Sequence, residues 1–363
     1  MDLDFTAEQD ELRAGIRAVL EKESPPTLAR AIVEHTGDAA PLWHQMVELG
    51  WPALTVPESA GGLGLGAIEL AVLCEELGRA ITPGPLLSTV AGFIPMVREC
   101  GTEAQIARFL EPVANGERAG ALAWFGGAGA VTLTTAGDCY TLSGSHQWVL
   151  DGSIADDIAV IAHIDGSDAV AVVVVPRDAC TVTPIQPFDA SRAVATVAFD
   201  NVTISADAML ANANATTVAR ALEEFTVAVA CEMVGTAQQI FDIILAYAKE
   251  RHQFGVPIGS FQAIKHKFAD LAVLLERARA CAYFAALTIA EDSPQRAVAA
   301  SVAKAAAGDL ADRADKEGIQ VLGGIGYTWE HDMHLHVRRL TTDALLLGDS
   351  ADHRARIADT LFS

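Results

Sequence analysis

Residues 251–262 read RHQFGVPIGSFQ, and residues 320–332 read QVLGGIGYTWEHD. Both segments adjoin long alanine-rich stretches that have the length and composition of helices. The predicted helices lie near 216–250, 262–291 and 294–322. Pro257 and Gly259 in the first segment, and the glycines in the second, predict turns where these helices end. The last part of the chain is therefore expected to form a bundle of long helices.

Upstream of this bundle, the chain changes to short β-branched runs separated by turn residues. These predicted strands lie at 131–135, 158–164, 169–175 and 194–199. Because no helix-length segment interrupts them, sequential antiparallel strands are expected rather than a parallel sheet with helical crossovers. A small antiparallel β-barrel or sandwich fits this pattern.

The first part of the chain is again predicted to be helical. Thr6 and Gln9 have the spacing of a capping box, and further helices are expected near 40–49, 67–79 and 102–115. The predicted fold class is α+β with several domains. These are an N-terminal helical domain (1–118), a middle β-domain (119–210) and a C-terminal domain resembling a four-helix bundle (211–363).

Composition limits the functions that the chain can have. Its 363 residues are 51% hydrophobic and 20% charged, which predicts a compact protein rather than a disordered one. The net charge of −22 argues against nucleic acid and anionic membranes as partners. No basic-then-apolar signal pattern begins the chain, and its longest apolar run (169–175) is too short to span a bilayer. Six scattered cysteines without a CxxC are typical of reduced thiols, so a cytoplasmic protein is expected.

Two glycine-rich segments have different interpretations. GGLGLG (61–66) lacks the preceding strand of a dinucleotide-binding βαβ unit and is predicted to be a loop. GGIGYT (323–328) is either a helix C-cap or a close backbone approach to a phosphate, and both remain open. Arg251 likewise is either a solvated C-capping residue or a phosphate clamp, with Phe254 offering a flat face to a purine.

Metal and hydrolase chemistry find little support in the sequence. His331, His334 and His336 have no carboxylate that completes a ligand set, so no metal is expected. GxSxG, Walker and HExxH motifs are missing, which removes support for hydrolase, nucleotidase and metalloprotease functions.

Nearly the whole chain resembles the acyl-CoA dehydrogenase family. The similarity is carried by LDFTAEQDELR (3–13), VPESAGGLGLGAIELAVLCEELGRA (56–80), GTEAQIARFL (101–110), GSHQWVLDG (144–152) and the two segments quoted first. It implies a β-domain between two helical domains, a dimer of dimers, and FAD shared between neighbouring subunits. It also implies that the ADP end of a flavin held mainly by another subunit is bound by Arg251, Phe254, Gln262, Gln320, Gly323 and Gly324. Gln253 stands where the family often has a hydroxyl residue.

The flavin-ring side departs from the family pattern. AWFGGAGAV (123–131) replaces a Thr-Glu-Pro-Gly-x-Gly-Ser loop, and Trp148 is kept while Leu150 replaces a hydroxyl residue near flavin N5. The family's base, a Glu in a Tyr-Glu-Gly-Thr turn, corresponds to Leu347. An alternative base position in some members corresponds to Phe225. The remaining carboxylates near these positions are Glu223, Glu224 and Asp349, of which Glu224 is the stronger candidate.

The family's residues are kept on the ADP side and lost on the flavin-ring side. By resemblance, this predicts a base-lacking subunit of an α2β2 acyl-CoA dehydrogenase. Such a subunit would complete the FAD site of a catalytic partner that desaturates an acyl-CoA thioester in fatty acid or steroid degradation and passes electrons to an electron-transfer flavoprotein. Two alternatives remain. One is a self-sufficient homotetramer with Glu224 as a relocated base, and the other is a flavin-free, non-catalytic scaffold of the same fold.

Overall fold

The computed structural model describes residues 5–124, 131–136 and 139–362. Within them the chain passes from helices through a sheet and back to helices, as predicted. The α-helices are α1 (Ala7–Glu23), α2 (Pro26–Val33), α3 (Ala40–Glu48), α4 (Ala67–Arg79), α5 (Ile94–Cys100), α6 (Glu103–Ala114), α7 (Ala215–Glu250), α8 (Gln262–Ala290), α9 (Arg296–Leu322), α10 (Met333–Leu345) and α11 (Ser350–Phe362). A π-helical stretch, Ser88–Phe93, leads into α5.

The strands lie mostly between α6 and α7. They are β1 (Gly120–Ala123), β2 (Thr132–Ala136), β3 (Cys139–Leu150), β4 (Asp157–Ile164), β5 (Val170–Pro176), β6 (Thr181–Ile185) and β7 (Val194–Ile204), followed later by the short pair β8 (His252–Gln253) and β9 (Val256–Pro257). The chain divides into two compact units. One consists of Met1–Gly37, Ala67–Thr82 and Thr226–Ser363, and the other of Asp38–Gly66 and Pro83–Phe225.

The long helices begin and end close to their predicted positions because their periodicity and caps are local. The Thr6 hydroxyl accepts from the Gln9 amide at 3.2 Å, and the Gln9 side chain accepts from the Thr6 amide at 3.0 Å. The predicted capping box is therefore confirmed. GGLGLG (61–66) is a loop between a 3-10 turn and α4, and no described strand precedes it. A Cβ at Gly62 would lie 2.0 Å from the Val56 carbonyl oxygen, so this loop requires glycine there.

The seven-stranded sheet corrects one part of the prediction. Its order is β1-β4-β2-β3-β7-β6, with β5 pairing the other edge of β4. Most neighbours are antiparallel, but β1 and β2 both run parallel to β4. Parallel neighbours need a crossover connection, and here the β2–β3 hairpin lies in the crossover from β1 to β4, so no helix is required. One face buries an apolar core that includes Leu142, Ile158, Val173, Val197 and Phe199.

Among the described helices, α7 is long and apolar enough to cross a membrane, with a mean hydropathy of 1.3 over its most apolar window. However, 72% of that window is buried inside the protein. The apolar residues of α7 thus pack against other elements of the fold, as in the core helix of a globular protein.

Candidate functional site

The hairpin after α7 presents the first group of predicted site residues at the surface. Strands β8 and β9 pair His252 with Pro257 and Gln253 with Val256. The two turn residues, Phe254 and Gly255, have φ values of +53° and +82°. A two-residue turn with both central residues left-handed matches the twist of a hairpin. It leaves the Phe254 side chain 93% exposed at the tip.

Arg251 precedes this hairpin and is fixed through its backbone. Its amide donates to the Tyr247 carbonyl at 2.8 Å, and its own carbonyl accepts from the Ile258 amide at 2.8 Å. The side chain is exposed, and within the described residues it forms no hydrogen bond or ion pair. The backbone amide thus continues α7, whereas the guanidinium is available to an anionic ligand.

Gln262 begins α8, after a 3-10 turn (Ile258–Ser260) that follows the hairpin. The N-cap of this helix is Phe261, which provides no side-chain hydrogen bond to the helix amides. The Phe261 and Phe254 rings meet edge to face, with centroids 6.1 Å apart. Arg251, Gln253, Phe254 and Gln262 are therefore exposed on one continuous surface segment.

Gln320, Gly323 and Gly324 lie at the end of α9. Gly323 caps the helix with φ +67° and ψ −139°, a conformation that only glycine adopts readily, and its amide donates to Ile319. The C-cap interpretation is therefore confirmed. A Cβ at Gly323 or Gly324 would meet no atom within 4 Å, so a ligand can approach this backbone. In the described part of one chain, no hydrogen bond, ion pair or ring contact joins this turn to the hairpin.

These two groups fit the nucleotide end of a flavin by their chemistry. An exposed guanidinium without a partner in the described chain suits a diphosphate, and an exposed aromatic face suits adenine. Both groups point to solvent rather than into a cavity of their own unit. Such an arrangement suits a ligand that is held mainly by another chain.

Trp148 lies in the sheet unit, where β3 is irregular. The register between β3 and β7 shifts between His146 and Val149, and Trp148 takes φ +60° with 49% of its surface exposed. A bulge of this kind turns a side chain away from the regular pleat. Leu150 is buried and pairs with Val194. Most of the predicted flavin-ring loop, residues 125–130, lies outside the described residues.

The two expected base positions hold apolar side chains in ordered surroundings. Leu347 is half-buried in the turn between α10 and α11, with φ +65°. Phe225 is 1% exposed and packs edge to face on Trp124, with ring centroids 5.4 Å apart. Neither side chain can take a proton at any pH.

The neighbouring carboxylates already have partners. Glu224 is 3% exposed, and its Oε2 lies 2.5 Å from Nη2 of Arg98. Asp349 caps α11 by accepting from the amides of Ala351 and Asp352, and these bonds lower the pKa of its carboxyl. Arg98 was not predicted as a site residue, because its pairing with Glu224 joins positions far apart in sequence.

The described residues hold no group of three or more side chains that could bind a metal ion. His334 instead stacks on Trp329 with ring centroids 4.2 Å apart. His336 is buried, and its Nδ1 lies 3.2 Å from the carbonyl oxygen of Asp332. Desolvation lowers the pKa of His336 to about 4, so this imidazole is neutral at physiological pH.

Comparison with known proteins gives consistent matches over almost the entire chain. The profile described as acyl-CoA dehydrogenase, N-terminal domain, matches residues 6–117, and that described as acyl-CoA dehydrogenase, C-terminal domain, matches residues 215–362. Acyl-CoA dehydrogenase IpdE2 of Mycolicibacterium smegmatis is 31% identical over 99% of this chain and 100% of its own.

Solved structures agree with these sequence matches. Butyryl-CoA dehydrogenase from Megasphaera elsdenii has a TM-score of 0.92 at 26% identity, with 100% of both chains covered. The steroid ACAD Tcur3481–Tcur3483 has a TM-score of 0.86 at 27% identity, covering 98% of this chain and 97% of that one. The helix–sheet–helix fold is therefore shared along the full length.

Proposed function

The chain belongs to the acyl-CoA dehydrogenase family, and from this premise we propose that it is a subunit that completes the FAD site of a catalytic partner chain. Members of the family bind FAD, which takes up hydride from the substrate when it is bound. The proposed reaction is the α,β-desaturation of an acyl-CoA thioester. An electron-transfer flavoprotein is the proposed electron acceptor.

One contrast within the chain carries this proposal. Arg251, Phe254 and Gln262 are exposed with suitable chemistry for a nucleotide, whereas positions 347 and 225 hold Leu and Phe. A positioned base contributes roughly 10²–10⁴ in rate, so its loss is not a minor change for this chemistry. A chain that keeps the nucleotide side and lacks the base is best suited to serve a site whose base comes from elsewhere.

In this role the residues have separate tasks. Arg251 would neutralise the diphosphate, Phe254 would cover the adenine, and the backbone at Gly323 and Gly324 would approach the nucleotide closely. Trp148, exposed at the β3 bulge, is the residue proposed to lie beside the flavin ring. The partner chain would supply the base that takes the α-proton of the thioester.

The family and its relatives support a proposal for the substrate class. The steroid ACAD Tcur3481–Tcur3483 resembles this chain over almost its full length. We therefore extend the proposal to bulky acyl-CoA thioesters of fatty acid or steroid breakdown. A cytoplasmic α2β2 assembly is part of the same proposal.

Flavin stoichiometry tests the subunit role. The chain is purified alone and together with a candidate partner, a family member that carries a Glu at a base position, and flavin is measured by absorbance after denaturation. We expect a colourless chain alone and about one FAD per heterodimer with the partner. Yellow, active protein from the chain alone would support the homotetramer, and flavin-free protein in both preparations would support the scaffold.

Glu224→Gln separates the subunit role from a self-sufficient enzyme. The carboxamide keeps a hydrogen-bond acceptor for Arg98 but cannot act as a base. In the proposed role Glu224 is not the base, so we expect turnover of the heteromer to change less than about twofold. Loss of a positioned base would instead lower the rate by roughly 10²–10⁴. The control is Arg98→Met, which breaks the same ion pair without removing a carboxylate.

A loss of 100-fold or more (about the lower limit for a positioned base) in Glu224→Gln alone identifies Glu224 as the base. A similar, small loss of turnover in both variants would mean that the Glu224–Arg98 ion pair has a structural role. Urea unfolding of each variant shows whether any loss reflects stability rather than chemistry.

A further inference from the structure

Lys304, in the middle of α9, is fully buried, which is unusual for a lysine. Its Nζ donates to the carbonyl oxygens of Ala344 and Gly348, each at 2.9 Å. A buried ammonium is tolerated only when hydrogen bonds replace its lost hydration. Here one acceptor comes from the last turn of α10 and the other from the turn that follows this helix.

The segment bound by Lys304 has a strained backbone. It is the turn 346–349 between α10 and α11, in which Leu347 has φ +65° and Gly348 has φ +106°. A left-handed conformation costs roughly 1–2 kcal/mol for a residue such as leucine. The carbonyls that accept from Lys304 lie on either side of Leu347, so the lysine ties both ends of the strained segment to α9.

The turn is also closed by its own backbone, since the Gly348 amide donates to the Leu345 carbonyl at 3.3 Å. Other interactions fix the beginning of α11. Asp349 caps that helix, and the Ser350 hydroxyl donates to the Ala305 carbonyl at 3.3 Å. Of these bonds, only that of Ser350 reaches α9, and it does so beyond the turn. Lys304 is therefore the side chain that ties the turn itself to α9, through Gly348 and the preceding Ala344.

We propose that Lys304 is a positioning residue that latches the 346–349 turn onto α9, and that loss of its proton releases the turn. The functional meaning of the latch rests on the proposed function, because position 347 corresponds to the family's base. In this chain the latch would hold an apolar side chain at that position.

The charge of the amine is set by its surroundings. Burial lowers the pKa of Lys304 to about 8. The charged and titratable groups that face it are Asp343 from α10 and, from the cap and body of α11, Asp349, Asp352, His353 and Arg356. The folded chain therefore carries the ammonium at pH 7 and loses it above about pH 8. A charged donor binds a carbonyl more strongly than a neutral amine does.

Hydrogen exchange of the chain alone, followed by mass spectrometry between pH 6.5 and 9.5, tests the latch. After correction for intrinsic rates, we expect peptides covering 345–350 to lose protection about tenfold across pH 7–9, as two charge-assisted bonds weaken. In Lys304→Met protection should be low at every pH. The matched control is Lys316→Met, which removes an exposed lysine of the same helix.

Peptides covering 70–78 of the buried helix α4 report global opening in the same digest. A wild-type turn whose protection does not change with pH, or one that changes only together with 70–78, overturns the proposal. So does full protection in Lys304→Met. If that variant does not fold, the wild-type pH series still decides. The exchange experiment uses the chain without flavin and tests only the latch. The subunit role is tested separately by flavin stoichiometry, so the two proposals can fail independently.

Discussion

At Gly323 the backbone conformation, rather than the available space, excludes other residues. A Cβ at Gly323 or at Gly324 would have no atom within 4 Å, but only Gly323 has a positive φ, +67°. An L-residue held in such a region costs of order 1–3 kcal/mol. Substitutions at these two neighbouring glycines therefore distinguish the cost of backbone strain from the cost of steric overlap.

We expect Gly323→Ala to lower the free energy of unfolding by about 1–3 kcal/mol, measured by urea denaturation. Gly324→Ala should change it by less than about 0.5 kcal/mol, as at an ordinary exposed site. In the proposed heteromer, Gly324→Ala should nevertheless weaken flavin retention if the nucleotide approaches this backbone. Equal stability of the two variants would contradict the strain at Gly323.

The residues proposed for the nucleotide side could be named from the sequence, because their types, order and spacing lie within short segments. Their exposure and the left-handed turn at Phe254 needed the structure. The pairing of Glu224 with Arg98 and the burial of Lys304 were not predictable. Both depend on atoms that are distant in sequence, and a lysine in an alanine-rich helix is equally compatible with a solvated face.

At the scale of elements, α4 and α7 cross at two glycines. A Cβ at Gly78 would lie 1.9 Å from the Glu232 carbonyl oxygen, and one at Gly235 would lie 1.8 Å from the Glu75 carbonyl oxygen. The Thr236 hydroxyl donates to the Gly78 carbonyl at 2.9 Å across the same crossing. Because both clashes are with backbone, a methyl group can be accommodated only by separating the helices.

We expect Gly235→Ala to destabilise the protein by at least about 1–3 kcal/mol, the usual cost of overpacking. The control is Gly15→Ala on the exposed face of α1, where a Cβ would meet nothing within 4 Å. That change should stabilise the chain by about 0.5–1 kcal/mol, because alanine is the better helix former. Urea midpoints of both variants measure the contrast. A neutral Gly235→Ala would show that the crossing has room for a methyl group.

The helices were easier to predict than the sheet for a physical reason. Helix periodicity and caps are local, so α7 was expected at 216–250 and is found at Ala215–Glu250. Strand β1 (Gly120–Ala123) is uniformly buried and therefore shows no alternation of polar and apolar residues. Its parallel pairing with β4 depends on a chain crossover that composition does not encode.

For the molecule as a whole, buried titratable groups set the response to acid, and they act in opposite directions. Burial lowers the pKa of His336 and of His353 to about 4, so each binds a proton on unfolding below its unfolded value near 6.5. Burial raises the pKa of Asp315 to about 7. As the pH falls, this carboxyl therefore takes up its proton at a higher pH in the folded chain than in the unfolded chain. Between pH 4 and 6.5 the imidazoles favour unfolding, whereas Asp315 opposes it.

Burial also lowers the pKa of His334, so the imidazoles outweigh the one carboxyl. Stability should therefore fall as pH drops from about 6.5 towards 5, with a net uptake of at least about one proton on unfolding. Asp315→Asn keeps an acceptor for the Thr341 hydroxyl, which lies 2.9 Å from Asp315 Oδ2, and removes the opposing group. We therefore expect the uptake of protons on unfolding to rise by about one. Urea unfolding at pH 7, 6 and 5 measures the slope of the free energy of unfolding against pH. The control, His35→Asn, alters an exposed residue at φ +57° that asparagine adopts readily and should leave the slope unchanged. A slope unaffected by Asp315→Asn would mean that this carboxyl does not take up its proton in the folded chain.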